Sequence, residues 1–303
     1  MVSTDPQPGK AALWMLGAIL SFSSMAVAGR AVTLELDTFE LMLYRSIIGV
    51  AIVVLAGRMT GTLGQITTRQ MGLHLIRNIS HFTGQNLWFL AISLIPLAQV
   101  FAVEFTSPLW VTLLAPLILG ERLTRVRAVA AGLGFVGILI VARPDFANLE
   151  PGVLAAAGAA VGFAGSALFT KRLTRSETII CILFWLTLMQ AVFGLVCAGA
   201  DGQIRLPSAV TWPWLVLIGC AGLSAHYCLT RALSVAPAVI VMPMDFARLP
   251  VIAIVGMLLY GEPLEMIVFA GAALIFAANM INLGAERRLA RAARLAKPAQ
   301  PGP

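Results

Sequence analysis

Eight side chains that water would ordinarily claim lie inside long apolar runs of this sequence: Arg45, Arg77, Glu104, Asp245 and Arg248, with His74, His81 and His226. A charge in hydrocarbon is costly, so such residues turn toward a cavity, a transport path or a partner of opposite sign. The two acids offer a place for a substrate ammonium or a proton. The arginines offer a planar fork that grips a carboxylate or phosphate with two hydrogen bonds. Asp245 and Arg248 are three residues apart on one expected helix, which also permits simple mutual neutralisation. Arg77 and Arg45 are near enough to expected helix ends to snorkel to the headgroups. Arg248 is deeper, and is the first candidate for a substrate anion.

Other polar and aromatic residues extend this set. In "LHLIRNISHFTGQNLWF" (73–89), His74, Arg77, Asn78, His81, Gln85 and Trp88 recur at helical spacing and form one stripe. Its inner part, His81, Gln85 and Trp88, is expected to line a cavity; hydrogen bonding between helices is the competing role. Phe101, Phe105, Trp110, Tyr227 and Phe246 are candidates to stack on an aromatic ligand. Pro108 and Pro250 remove backbone donors inside expected helices and should kink them. No metal ligand set is expected. His74 and His81 are seven residues apart without an HExxH motif, and Cys181, Cys197, Cys220 and Cys228 contain no CxxC pair. No cofactor is implied. An intramembrane enzyme using His81 or His226 would need a nucleophile or metal constellation that the sequence does not supply.

These residues need helices to hold them. The chain is 59% hydrophobic and 12% charged, about half the usual charge of a soluble domain, with mean hydropathy +0.90. Only helices satisfy their own backbone in lipid segment by segment. The expected fold is therefore an all-α integral membrane protein with ten spans: 11–29, 39–57, 70–94, 97–119, 125–142, 152–172, 177–199, 212–234, 238–260 and 265–285. With both termini in the cytoplasm, fifteen of the 21 Lys and Arg residues fall on inner segments and only Arg30, Arg143 and Arg205 on outer ones. The basic tail 286–303 should lie along anionic lipid. The net charge of +7 is thus a topology signal, with no nucleic-acid motif beside it.

A shift of 141 residues aligns distant features without gaps. Gly17, Phe22, Ala26 and Arg30 fall on Gly158, Phe163, Ala167 and Lys171; Pro96 falls on Pro237; Glu104 and Phe105 fall on Asp245 and Phe246; Gly120 and Glu121 fall on Gly261 and Glu262. Each half, 1–146 and 147–285, then carries five spans. An odd number obliges the second half to enter the membrane upside down, the inverted-repeat plan of many carriers. Gly120–Glu121 and Gly261–Glu262 are expected to end one helix and cap the next.

"PLWVTLLAPLILGERLTRVRAVAAGLGFVGILIV" (108–141) and "PVIAIVGMLLYGEPLEMIVFAGAALIFAANMI" (250–281) resemble the fourth and fifth helices, joined by a "GE" turn, of the drug/metabolite transporter superfamily in its EamA-type branch. "FELMLYRS" (39–46) is similar to the second-helix pattern of that branch, with Arg45; Leu186 stands at the matching place in the second half. The resemblance implies a secondary transporter of a small organic metabolite in the bacterial inner membrane, working by alternating access. No GxxxxGK phosphate loop accompanies it, so ATP is not expected to drive it directly. Export of amino acids or related compounds is the first expectation. Uptake of a cofactor-like molecule such as S-adenosylmethionine or riboflavin is the alternative, because residues 74–110 are similar to the importers of the branch.

Overall fold

The computed structural model describes residues 7–119, 125–142, 150–200, 202–235, 241 and 244–295. Gly120–Glu121, most of the 143–151 loop, Pro237 and the last eight residues of the tail lie outside them. Helices form at the expected places: α1 (Pro8–Val32), α2 (Thr38–Met59), α3 (Met71–Leu94), α4 (Leu97–Glu104), α5 (Ser107–Leu119), α6 (Arg125–Ala142), α7 (Pro151–Leu173), α8 (Ile179–Ala198), α9 (Trp212–Val235), α10 (Arg248–Tyr260) and α11 (Met266–Leu295). A short 3-10 turn, Leu63–Gln65, precedes α3. Among the described residues, seven helical stretches are long and apolar enough to cross a membrane, α4 and α5 counting together as one, and two shorter apolar helices, 128–141 and 248–260, accompany them. The chain is a multi-pass membrane protein. α11 continues unbroken to Leu295, so the tail begins as helix rather than as a separate segment.

Local chemistry starts and stops these helices. Asp37 accepts from the amides of Phe39 and Glu40, and the Glu40 carboxylate accepts from the Asp37 amide, a reciprocal capping box at the start of α2. Pro151 opens α7, where a missing N–H costs nothing. Ile95, just before Pro96, is extended (φ −130°, ψ 164°) and ends α3. Gly261 closes α10 in the left-handed region (φ 65°), which favours glycine.

The packing crosses between the halves. α1 packs most extensively on α9, α3 on α7, α6 on α11 and α2 on α8. Small residues permit these approaches. A Cβ added to Gly162 on α7 would stand 2.7 Å from Gly84 Cα on α3. One added to Gly271 on α11 would stand 2.9 Å from the carbonyl oxygen of Gly137 on α6.

Glu262 has a wider part than capping its own helix. Its carboxylate pairs with Arg30 at the end of α1 and accepts from the Leu97 amide (2.9 Å) at the start of α4. Arg30 also donates to the carbonyls of Ile92 and Ile95 at the end of α3 and lies over the Tyr260 ring. A cation thus meets the negative end of α3 and an anion meets the positive end of α4. One ion pair ties four segments together at this end of the bundle.

Candidate functional site

Glu104 is the last residue of α4 and Phe105–Thr106 is a turn before α5; Phe246–Ala247 is likewise a turn, directly after Asp245 and before α10. The helix breaks therefore fall at positions that match in the 141-residue shift. They lie within the four residues before Pro108 and Pro250, the stretch that a proline is expected to disrupt. Pro108 is the second residue of α5 and Pro250 the third of α10. A proline leaves the carbonyl four residues back without its intrahelical donor and its ring crowds that turn, so each helix opens just ahead of its proline. The carbonyl freed at Phe105 accepts from Asn279 Nδ2 of α11 (2.8 Å).

Arg248 fills the space between the breaks. One terminal nitrogen is 3.3 Å from Glu104 Oε1 and 3.3 Å from Asp245 Oδ2. Glu104 Oε2 accepts from Trp88 Nε1 at 2.8 Å. The guanidinium carbon is 4.7 Å from the centroid of Phe22, 4.9 Å from Phe101 and 5.0 Å from Phe105, so three rings enclose the cation. Asp245 and Arg248 are paired, as their spacing allowed, but Glu104 from the other half shares the same nitrogen. Arg248 Nε and Asp245 Oδ1 are buried without a hydrogen-bond partner, two polar atoms available to a ligand.

The rings continue outward from Arg248. Phe105 and Phe246 stack with centroids 4.3 Å apart and planes 22° from parallel. Phe276 meets Phe246 edge-on at 4.5 Å. Trp88 packs on Phe101 at 5.9 Å, and Phe22 meets the imidazole of His226 at 5.6 Å. His81 lies against Phe163 at 6.0 Å and is 3.5 Å from Ser166 Oγ. The site therefore draws side chains from α1, α3, α4, α9, α10 and α11 and from both helix breaks.

The polar stripe of α3 divides. At its first turns it is packing: Arg77 is buried and donates to Thr170 Oγ1 (3.1 Å) and Asn78 Oδ1 (3.1 Å), so it does not snorkel. Asn78 is held by the carbonyls of His74 and Trp185 and by Gln190. Trp88, at the other end, joins the site. Gln85, between them, is buried. Tyr227 and Trp110 take positions of their own, Tyr227 edge-on to Trp14 and Trp110 edge-on to Phe135. Phe22, Phe276 and Asn279 belong to the site without having been singled out as ligand contacts. Phe22 carried one available signal, its match with Phe163 in the repeat.

A membrane-embedded cluster of ion-paired charges and stacked rings, set where broken helices meet, has the make-up of a transporter's central binding site. The EamA-like transporter family matches this chain twice, at residues 9–143 and 150–284. The chain belongs to that family and is a membrane transporter. It is 30% identical over 279 residues to a riboflavin transporter of Vibrio cholerae, covering 90% of this chain and 93% of that one. It is 25% identical over 279 residues to an S-adenosylmethionine uptake transporter of Rickettsia bellii, covering 91% and 94%. A solved crystal structure shares the fold with TM-score 0.62 and 22% identity, covering 93% of this chain and 99% of that chain.

Proposed function

We propose that this chain is a carrier that imports a flat, heteroaromatic, cofactor-like metabolite, with riboflavin the first candidate. The observation that carries the reading is the Phe105–Phe246 stack, one ring from each helix break, beside the ring-enclosed Arg248. Offset-stacked rings accept a further planar partner with the same geometry. The unpartnered Arg248 Nε and Asp245 Oδ1 add one donor and one acceptor for its polar edge. Relatives named for riboflavin and S-adenosylmethionine uptake support the same reading, and favour it over amino-acid export. Two carboxylates sharing one guanidinium favour a cationic cofactor such as S-adenosylmethionine as the second reading.

The carrier works by alternating access between two inverted five-helix halves, with both termini in the cytoplasm. The two family matches, the reciprocal packing of α1 on α9 and of α3 on α7, and the matched helix breaks support this plan. Expression in a bacterial riboflavin auxotroph lacking its own importer tests the substrate. Growth on low external riboflavin, lost in Phe105→Ala and Phe246→Ala, is expected. Growth rescue by S-adenosylmethionine in the corresponding auxotroph, with none by riboflavin, would move the assignment to the second reading.

A further inference from the structure

At the end of the bundle where α3 and α8 begin, three residues far apart in sequence converge: His74 in the first turn of α3, Cys181 in the first turn of α8, and Glu177 just before α8. One ligand atom from each lies within 4.8 Å of the others, and His74 Nε2 is 4.0 Å from Cys181 Sγ. His74 and Cys181 are fully buried and Glu177 is 9% exposed. We infer that this imidazole–thiol–carboxylate cluster is a zinc-type metal site.

Two further observations point to a ligand. Glu177 Oε1 is buried with no hydrogen-bond partner, a costly state for a carboxylate, and His74 Nε2 faces the Cys181 sulfur at 4.0 Å. Thr67 meanwhile arranges the cluster as a ligand set requires. Its amide donates to Cys181 Sγ at 3.4 Å and its hydroxyl to Glu177 Oε2 at 2.7 Å, which leaves Oε1 for the ion. Trp185 Nε1 holds the Thr67 carbonyl at 2.8 Å and so fixes the loop. Nitrogen, sulfur and oxygen in one site suit a borderline-soft divalent ion, with bonds of about 2.0–2.3 Å. Tetrahedral ligands at such bond lengths stand roughly 3.3–3.8 Å apart. Side-chain shifts of under about 1 Å therefore close the cluster on an ion, and a water completes the fourth position. Binding deprotonates the Cys181 thiol, and that proton leaves to solvent. A bound ion would cross-link the start of α3 to the start of α8, pinning helices from different halves at one end.

Cobalt(II) is the probe. Titrated into the purified full-length protein in detergent with a non-chelating reductant, it should give a thiolate-to-cobalt charge-transfer band that saturates at one equivalent and is bleached by zinc. The band should vanish in Cys181→Ser and persist in Cys220→Ser. In the wild-type protein, one equivalent of zinc should slow alkylation of Cys181 at least tenfold, read by mass spectrometry; this needs no variant to fold. Absence of the band together with unchanged alkylation overturns the site, as does a band that survives in a folded Cys181→Ser.

Discussion

Arg248→Gln removes the guanidinium that Glu104 and Asp245 share. Each contact is 3.3 Å, worth about 5 kcal/mol at an effective dielectric of about 20, before the opposing cost of desolvation. Breaking a buried pair by removing one partner typically costs 3–5 kcal/mol, so the loss should fall in that range. Thermal unfolding of the detergent-solubilised variant should therefore show a large deficit at pH 7. Neutralising the whole triad, Glu104→Gln with Asp245→Asn and Arg248→Gln, should restore folding but not transport. An Arg248→Gln protein as stable as wild type refutes the pairing argument; a triple variant that transports normally refutes the functional one.

Gly162→Leu should loosen α3 from α7, since even a Cβ there meets Gly84 Cα at 2.7 Å; we expect about 1–3 kcal/mol of destabilisation by thermal unfolding, with Gly132→Leu, in open space, as the unaffected control. Glu35, in the loop after α1, accepts from the hydroxyls of Thr211 and Ser208 and the Ser208 amide, bonds that hold its carboxyl below its ordinary value. A lowered folded value stabilises above the ordinary value and is lost as pH falls through the lower one. Glu35→Gln should therefore melt earlier than wild type near neutrality, and the two curves should converge in acid; a gap constant with pH contradicts this. For orientation, a single cysteine at Gly202 in a cysteine-free background should react with an impermeant thiol reagent added outside intact cells, and one at Arg175 should not; the reverse pattern overturns the cytoplasmic placement of the termini.

Apolar length and turn residues made most helices legible, because each span is a run that lipid alone selects. Glu104, Phe105, Asp245, Phe246 and Arg248, which the structure brings together, were legible as candidates for a related reason: buried charge in a membrane needs a purpose, and the repeat singled out the first four. Pro108 and Pro250 read as kinks, and the helices open at 105–106 and 246–247, in the four residues ahead of each proline. The stripe on α3 looked uniform, yet whether each member packs or lines the site depends on α7 and α8, partners that periodicity on one helix cannot name. Tyr227 meets Trp14 edge-on, a neighbour on α1 that spacing along α9 could not name. The convergence of His74, Glu177 and Cys181 was beyond motif reading altogether, since more than a hundred residues separate His74 from the other two.

Counterflow in proteoliposomes tests the central claim most directly. Vesicles reconstituted with the purified protein and preloaded with unlabelled riboflavin should transiently accumulate external labelled riboflavin above its equilibrium level. Phe105→Ala and Phe246→Ala vesicles of equal protein content should lose this overshoot. Labelled riboflavin that equilibrates without overshoot, or an overshoot supported by amino acids and not by riboflavin, would contradict a carrier built around the stacked rings of the two helix breaks.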